Sequence, residues 1–159
     1  MQVRHEYKVE CFDSQGNLKW VERFHNMVVT EGLNAYVTNT LKTIPGSVAW
    51  YVGLKGTGSF ALGDIMSSHA GWAEITPYSD ANRPTFTPGS VAGGSVDNSA
   101  SKAVFNINAS STVYGAFMSS NNTKGGTTGT LLGGNDFAAS RGVQSGDTLN
   151  VTVTATIAN

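Results

Sequence analysis

The closing stretch "SGDTLNVTVTATIAN" alternates without a break. Leu149, Val151, Val153, Ala155 and Ile157 point one way, and Asn150, Thr152, Thr154 and Thr156 point the other. A period of two over nine residues is incompatible with a helix and specifies a strand with one buried face. The opening of the chain behaves the same way. Val3, His5, Tyr7, Val9 and Cys11 share one face, and Arg4, Glu6, Lys8 and Glu10 share the other. Strands that are apolar on one side only belong to antiparallel sheets stacked over a common core.

The intervening chain fits that frame. "DSQGN" (13–17) supplies turn chemistry, and Leu18, Trp20, Phe24 and Val28 then continue an apolar face opposite Lys19, Arg23 and His25. Residues 2–29 are therefore predicted to form a β-hairpin, with Glu6, Glu10 and Glu22 on its charged face. A helix is expected over about 30–42. Thr30 stands as its cap, Glu31 at its positive end, and Leu33, Tyr36, Val37 and Leu41 at helical spacing, with Ile44, Pro45 and Gly46 ending it.

"VAWYVGL" (48–54) is expected to be a buried strand, "KGTGSFALGD" a loop, and Ile65 to His69 a short helical turn. "WAEITPY" is a strand cut by Pro77. Pro84 and Pro88 exclude a central strand around "RPTFTPG". Residues 89–101 are small and polar, hence a loop. "KAVFNINA" and "TVYGAFMSS" are expected to pair, "NNTKGGTTGT" (121–130) to be a flexible loop, and "LLGGNDFAASRGV" to be irregular.

Short strands with turn-rich connections and no alternation of strand and helix predict a mainly β fold. The expectation is one domain over residues 1–159: an antiparallel β-sandwich or jelly roll, with an N-terminal β-hairpin (1–29) as a candidate contact arm and one short helix. A chain of 159 residues is long enough to hold its own core.

Composition narrows the function classes. Net charge is -1, which leaves no electrostatic footprint for nucleic acid or an anionic membrane. Charged residues are 13% of the chain, about half the usual share, and low charge with much Thr, Val, Ser and Gly fits β-structure with many turns. No apolar run approaches a membrane span, and the charged N-terminus lacks the apolar core of a signal peptide. The glycosylation sequons at Asn108, Asn121 and Asn150 read as chance matches in a chain rich in Thr and Ser. Cys11 is the single cysteine, so no intrachain disulfide supports the fold.

Catalytic chemistry has little to stand on. The histidines are His5, on an inward strand face, His25, on a solvated one, and His69, in a loop near Asp64. Metal sites need several ligands at convergent spacing, and the chain has no HxH, HExxH or CxxC. Cys11 reads as a small buried hydrophobe. "GTGSFALGD" lacks the Lys-Ser/Thr ending of a phosphate loop. Glu74 with Asp80 is a conceivable glycosidase pair supported by composition alone. No catalytic, cofactor-binding or metal-binding residue is assigned, and neither a cofactor nor a small-molecule substrate is expected.

The stretch "SHAGWAEITPYSDANRPTFTPGSV" (68–91) reads best as a structured connection. Trp72, Tyr78 and Phe86 pin it to the sandwich, and Arg83 pairs with Asp80 or with a partner protein. Trp20 and Trp50 read as core residues of their strands. Trp72 is the tryptophan free to serve an interface or a sugar platform. The candidate interface residues are His69, Trp72, Arg83, Lys124 and Arg141.

The stretches "NMVVTEGLN", "AWYVGL", "SHAGWAEITPYSDANRPTFTPG", "GSVDNSASKAVFNINA", "NNTKGGTTGTLLGG" and "SGDTLNVTVT" resemble, as a series, a family of small structural proteins of tailed bacteriophages. The resemblance runs from about residue 3 to residue 154 and contains no catalytic signature. It implies a virion protein made in the bacterial host cytoplasm, most similar to the head decoration, or cement, proteins. Such a protein sits on the capsid exterior, binds the major capsid protein and neighbouring copies of itself as a homo-oligomer, and stabilises the shell. The N-terminal hairpin, the loops 56–72 and 121–141, and a free edge strand at either terminus are the expected contacts. A tail, neck or fibre component and a carbohydrate-binding module are the alternative expectations.

Overall fold

The computed structural model describes residues 2–42 and 48–158. Two antiparallel sheets pack against each other as a β-sandwich. In the first sheet, β1 (Gln2–Phe12) lies between β2 (Leu18–His25) and β11 (Thr148–Ala158). On its other side β11 carries β7 (Ser95–Asp97) and β8 (Ala103–Asn106). The second sheet runs β3 (Met27–Val28), β10 (Leu131–Val143), β9 (Ser111–Ser119), β4 (Trp50–Gly58) and β5 (Trp72–Ile75), with β6 (Thr85–Phe86) also on β4.

The two alternating termini meet each other. β1 and β11 pair along their whole length, from Gln2 opposite Ala158 to Phe12 opposite Thr148. Their inward residues Tyr7, Val9, Cys11, Leu149, Val151 and Val153 form one wall of the core, and Val52, Leu54, Ala116 and Met118 form the other. Each large apolar side chain buried this way contributes about 1.5–3 kcal/mol. A smaller cluster of Val29, Phe60, Met66, Trp72, Phe117 and Leu131 lies apart from this core. Phe117 and Leu131 alternate with the core residues Met118 and Leu132, so the cluster covers the outer face of the second sheet.

The structure corrects several expectations. The terminal strands are interior, so neither is a free edge, and the hairpin is built into the sheet rather than standing off as an arm. The hairpin turn is as predicted, with Asp13 accepting hydrogen bonds from the backbone of Gln15 and Asn17. Glu22 is buried, not on the charged face: it lies opposite Val9 on the same inward face as Trp20 and Phe24, and Arg141 of β10 reaches across to pair with it. "KAVFNINA" and "TVYGAFMSS" do not pair: β8 joins β11 in the first sheet and β9 joins the second.

"LLGGNDFAASRGV" is not irregular but is the long strand β10, broken by a bulge between Asp136 and Arg141. β4 runs past the predicted strand end to Gly58. A hydrogen-bonded turn between Ile65 and Ser68 replaces the helical one. A three-residue strand, β7, interrupts the expected 89–101 loop.

The helix α1 spans Thr30–Val37 and continues as a π-type turn over Thr38–Lys42. The predicted stop at Ile44, Pro45 and Gly46 lies outside the described residues. Val29, not Thr30, is the N-cap, and it offers no side-chain hydrogen bond. Glu31 anchors the start of the helix instead, with Oε2 accepting from the Leu131 N–H at 2.7 Å and the Met66 N–H at 3.1 Å.

Candidate functional site

Of the five residues assigned to an interface, two are buried. Arg83 is 2% exposed. Its Nε donates to Glu74 Oε1 at 2.9 Å and its Nη2 to Glu74 Oε2 at 2.7 Å. Nη1 donates to Ser119 Oγ and the Asn121 carbonyl, and Nη2 also donates to the Gly126 carbonyl. All five guanidinium donors are thereby used, the condition for burying this charge. The partner is Glu74, not Asp80. Glu74 Oε2 also accepts from the Gly125 N–H, so Glu74 serves as an internal counterion.

Trp72 is 5% exposed and stacks between His69, at 4.0 Å, and Phe60, at 5.3 Å. Its Nε1 donates to Asp64 Oδ2 at 2.8 Å. Asp64 and His69, the one acid and histidine close together in a loop, thus hold a buried indole in place. Trp72 is not a platform for a sugar. Tyr78 and Phe86 are buried as expected, and the stretch 68–91 is a structural connection.

Lys124 and Arg141 lie nearer the surface. Lys124 Nζ donates to the carbonyls of Tyr78 and Asp80 and sits 4.3 Å from the Tyr78 ring, tying loop 121–130 to the same connection. The Arg141 side chain is 40% exposed and reaches Glu22 Oε1 at 2.5 Å beside the half-buried Trp20.

The surface that sequence reasoning missed is the outer side of α1. Leu33, Val37 and Leu41 are 42%, 58% and 81% exposed. Their spacing of four places them on one face of the helix and its π-type extension. The inward side is formed instead by Gly32 and Tyr36. Gly32 lets the helix touch β10, since a Cβ there would lie 2.0 Å from the Leu132 carbonyl oxygen. Beside the helix, Val48 is 38% exposed and lines a depression with Asn34, Ala35, Thr38 and Trp50.

Beneath α1, the buried His5 links strand and helix. Its backbone N–H donates to Asn26 Oδ1, so Asn26 Nδ2 faces and donates to His5 Nδ1 at 2.7 Å. His5 Nε2 therefore carries the proton and donates to the Tyr36 hydroxyl at 2.6 Å. Burial holds the imidazole down at about 4 and pushes the Tyr36 phenol up to about 12. Both groups are neutral at pH 7.

No group of three or more His, Cys, Asp or Glu among the described residues is placed to hold a metal ion. No helix among them is long and apolar enough to cross a membrane. Neither the family models nor the curated proteins searched contain a match to this chain.

Proposed function

We propose that this chain is a structural protein of a tailed bacteriophage virion, a decoration protein that binds the outer face of the major capsid shell and stabilises it as a homo-oligomer. The observation that carries the reading is the stripe of Leu33, Val37 and Leu41, three exposed large apolar side chains aligned on one helix face. A contiguous apolar stripe left open to water marks a surface for protein contact. The ion pair of Glu74 with Arg83 and the stacked, hydrogen-bonded Trp72 hold connections of the sandwich in place. The series of sequence stretches that resemble phage structural proteins supplies the virion context.

The mechanism is linkage. A protein that binds only the assembled shell lowers the free energy of that shell, and many symmetric copies multiply a weak contact. The reading contains no catalytic step and no cofactor.

Copy number per virion, measured against the major capsid protein by quantitative mass spectrometry, tests the proposal. Hundreds of copies in a near-integer ratio support shell decoration. A dozen or a few dozen copies move the protein to the neck or tail. Absence from the virion refutes both placements.

A further inference from the structure

The two sheets do not close completely at the end covered by α1. Between them lies a cavity of about 280 Å³. Trp50, Met118 and Leu132 of the second sheet form one wall, and Val96 and Ala155 of the first form the other. Val91, 75% exposed, stands at the mouth. The volume is close to the lower end of natural small-molecule pockets, about 300 Å³, and about twice that of a cavity that takes up benzene.

One polar element faces this apolar space. His5 and Tyr36 both line it. The His5 tautomer set by Asn26 makes the Tyr36 hydroxyl the acceptor of the Nε2 proton, and that hydroxyl makes no other hydrogen bond among the described residues. Its own proton is left to donate. We infer that the cavity is a binding site for a small apolar molecule, of about the size of a fused two-ring aromatic, that carries one hydrogen-bond acceptor for the Tyr36 hydroxyl. A cation is disfavoured, because the polar group offered is a donor. A ligand without an acceptor leaves the hydroxyl proton unmatched in an apolar site, which costs free energy.

The inference is independent of the virion reading and is tested on the purified full chain. Calorimetric titration compares 1-acetylnaphthalene, which carries a carbonyl acceptor, with 1-ethylnaphthalene, which has nearly the same shape and none. Saturable one-to-one uptake is expected, with the ketone bound more tightly. His5→Leu with Tyr36→Phe removes the hydroxyl together with the imidazole N–H that Tyr36→Phe alone would bare, and is expected to weaken the ketone about tenfold, the equivalent of one hydrogen bond of about 1.4 kcal/mol, and to bind the hydrocarbon at least as tightly as the native chain does.

Ala155 lies opposite His5 in the β1–β11 register, so Ala155→Leu fills the cavity and is expected to abolish uptake of both compounds. Val96→Phe is the second filling variant, and thermal melting confirms that the variant assayed is folded. Absent or non-saturable uptake by the native chain overturns the inference, as does equal uptake by a folded filled variant. Equal affinity of the native chain for the two compounds overturns the acceptor requirement. Uptake that appears only after copies of the chain are dissociated assigns the cavity to a neighbouring copy's side chain and overturns the small-molecule reading.

Discussion

Arg83 and Glu74 form a bidentate ion pair inside the protein, with the Arg83 side chain fully buried and that of Glu74 6% exposed. The same guanidinium reaches the Asn121 and Gly126 carbonyls, so one charge pair holds the 68–91 connection and the 121–130 loop on the second sheet. Arg83→Met leaves Glu74 buried without its counterion and is expected to cost about 3–5 kcal/mol. The double variant Arg83→Met/Glu74→Leu is expected to recover a large part of that loss. Urea unfolding midpoints decide it. A single variant no less stable than the double one contradicts the coupling.

Gly32 sets the distance between α1 and β10. A methyl group there meets backbone, which cannot rotate away. Gly32→Ala normally favours a helix by up to about 1 kcal/mol. Here it is expected to destabilise by about 2 kcal/mol or more, since overpacking shifts the helix. A melting temperature equal to or above that of the native chain refutes this account of the contact.

His5 makes stability depend on pH. Its folded value of about 4 lies below the ordinary 6.5, so between those values the unfolded chain binds a proton that the folded one refuses. The contribution is complete above pH 6.5 and is lost as pH falls towards 4, a total on the order of 3 kcal/mol. His5→Gln is expected to flatten this part of the profile. Urea titrations of both proteins at pH 7 and pH 4.5 give the comparison.

Cys11 is expected to be inert in the folded protein. It is buried between the sheets, and burial raises its thiol from 9.0 to about 11, which lowers the thiolate fraction at pH 8 about a hundredfold. A chromogenic disulfide reagent is expected to label it fully in denaturant and hardly at all without. Rapid native labelling means that this edge of the core opens.

The α1 surface separates binding from stability. Val37→Glu with Leu41→Glu places two charges where the native side chains already meet water, so stability is expected to change by no more than about 0.5 kcal/mol per site. Association with capsids is expected to fall at least tenfold in a co-sedimentation assay, because a charge buried in an apolar contact without a partner is costly. Unchanged sedimentation takes the contact away from α1.

Alternation and turn chemistry were sufficient for the β1–β2 hairpin, the strand β11, the start of β4, the early helix and the sandwich class. Each of these is a local pattern, because a strand with one buried face writes its period into neighbouring residues. The same holds for Tyr78 and Phe86, large apolar rings in a Pro-punctuated segment that have to be buried somewhere. What remained hidden was set by distant partners. Alternation alone puts Glu22 on the inward face with Trp20 and Phe24, but nothing near it announces its partner Arg141, 119 residues away. Nothing near Arg83 distinguishes Glu74 from Asp80 as its counterion.

β10 looked irregular because its glycines and its bulge break the alternation, although its neighbours β9 and β3 complete its hydrogen bonds. The orientation of α1 was hidden for a similar reason. Helical spacing locates an apolar stripe, but backbone contact at Gly32 decided which side faces β10 and left Leu33, Val37 and Leu41 in water. Side-chain period is a property of consecutive residues. Strand partners, ion-pair partners and the face a helix presents are properties of chain segments that meet only when the sheets close.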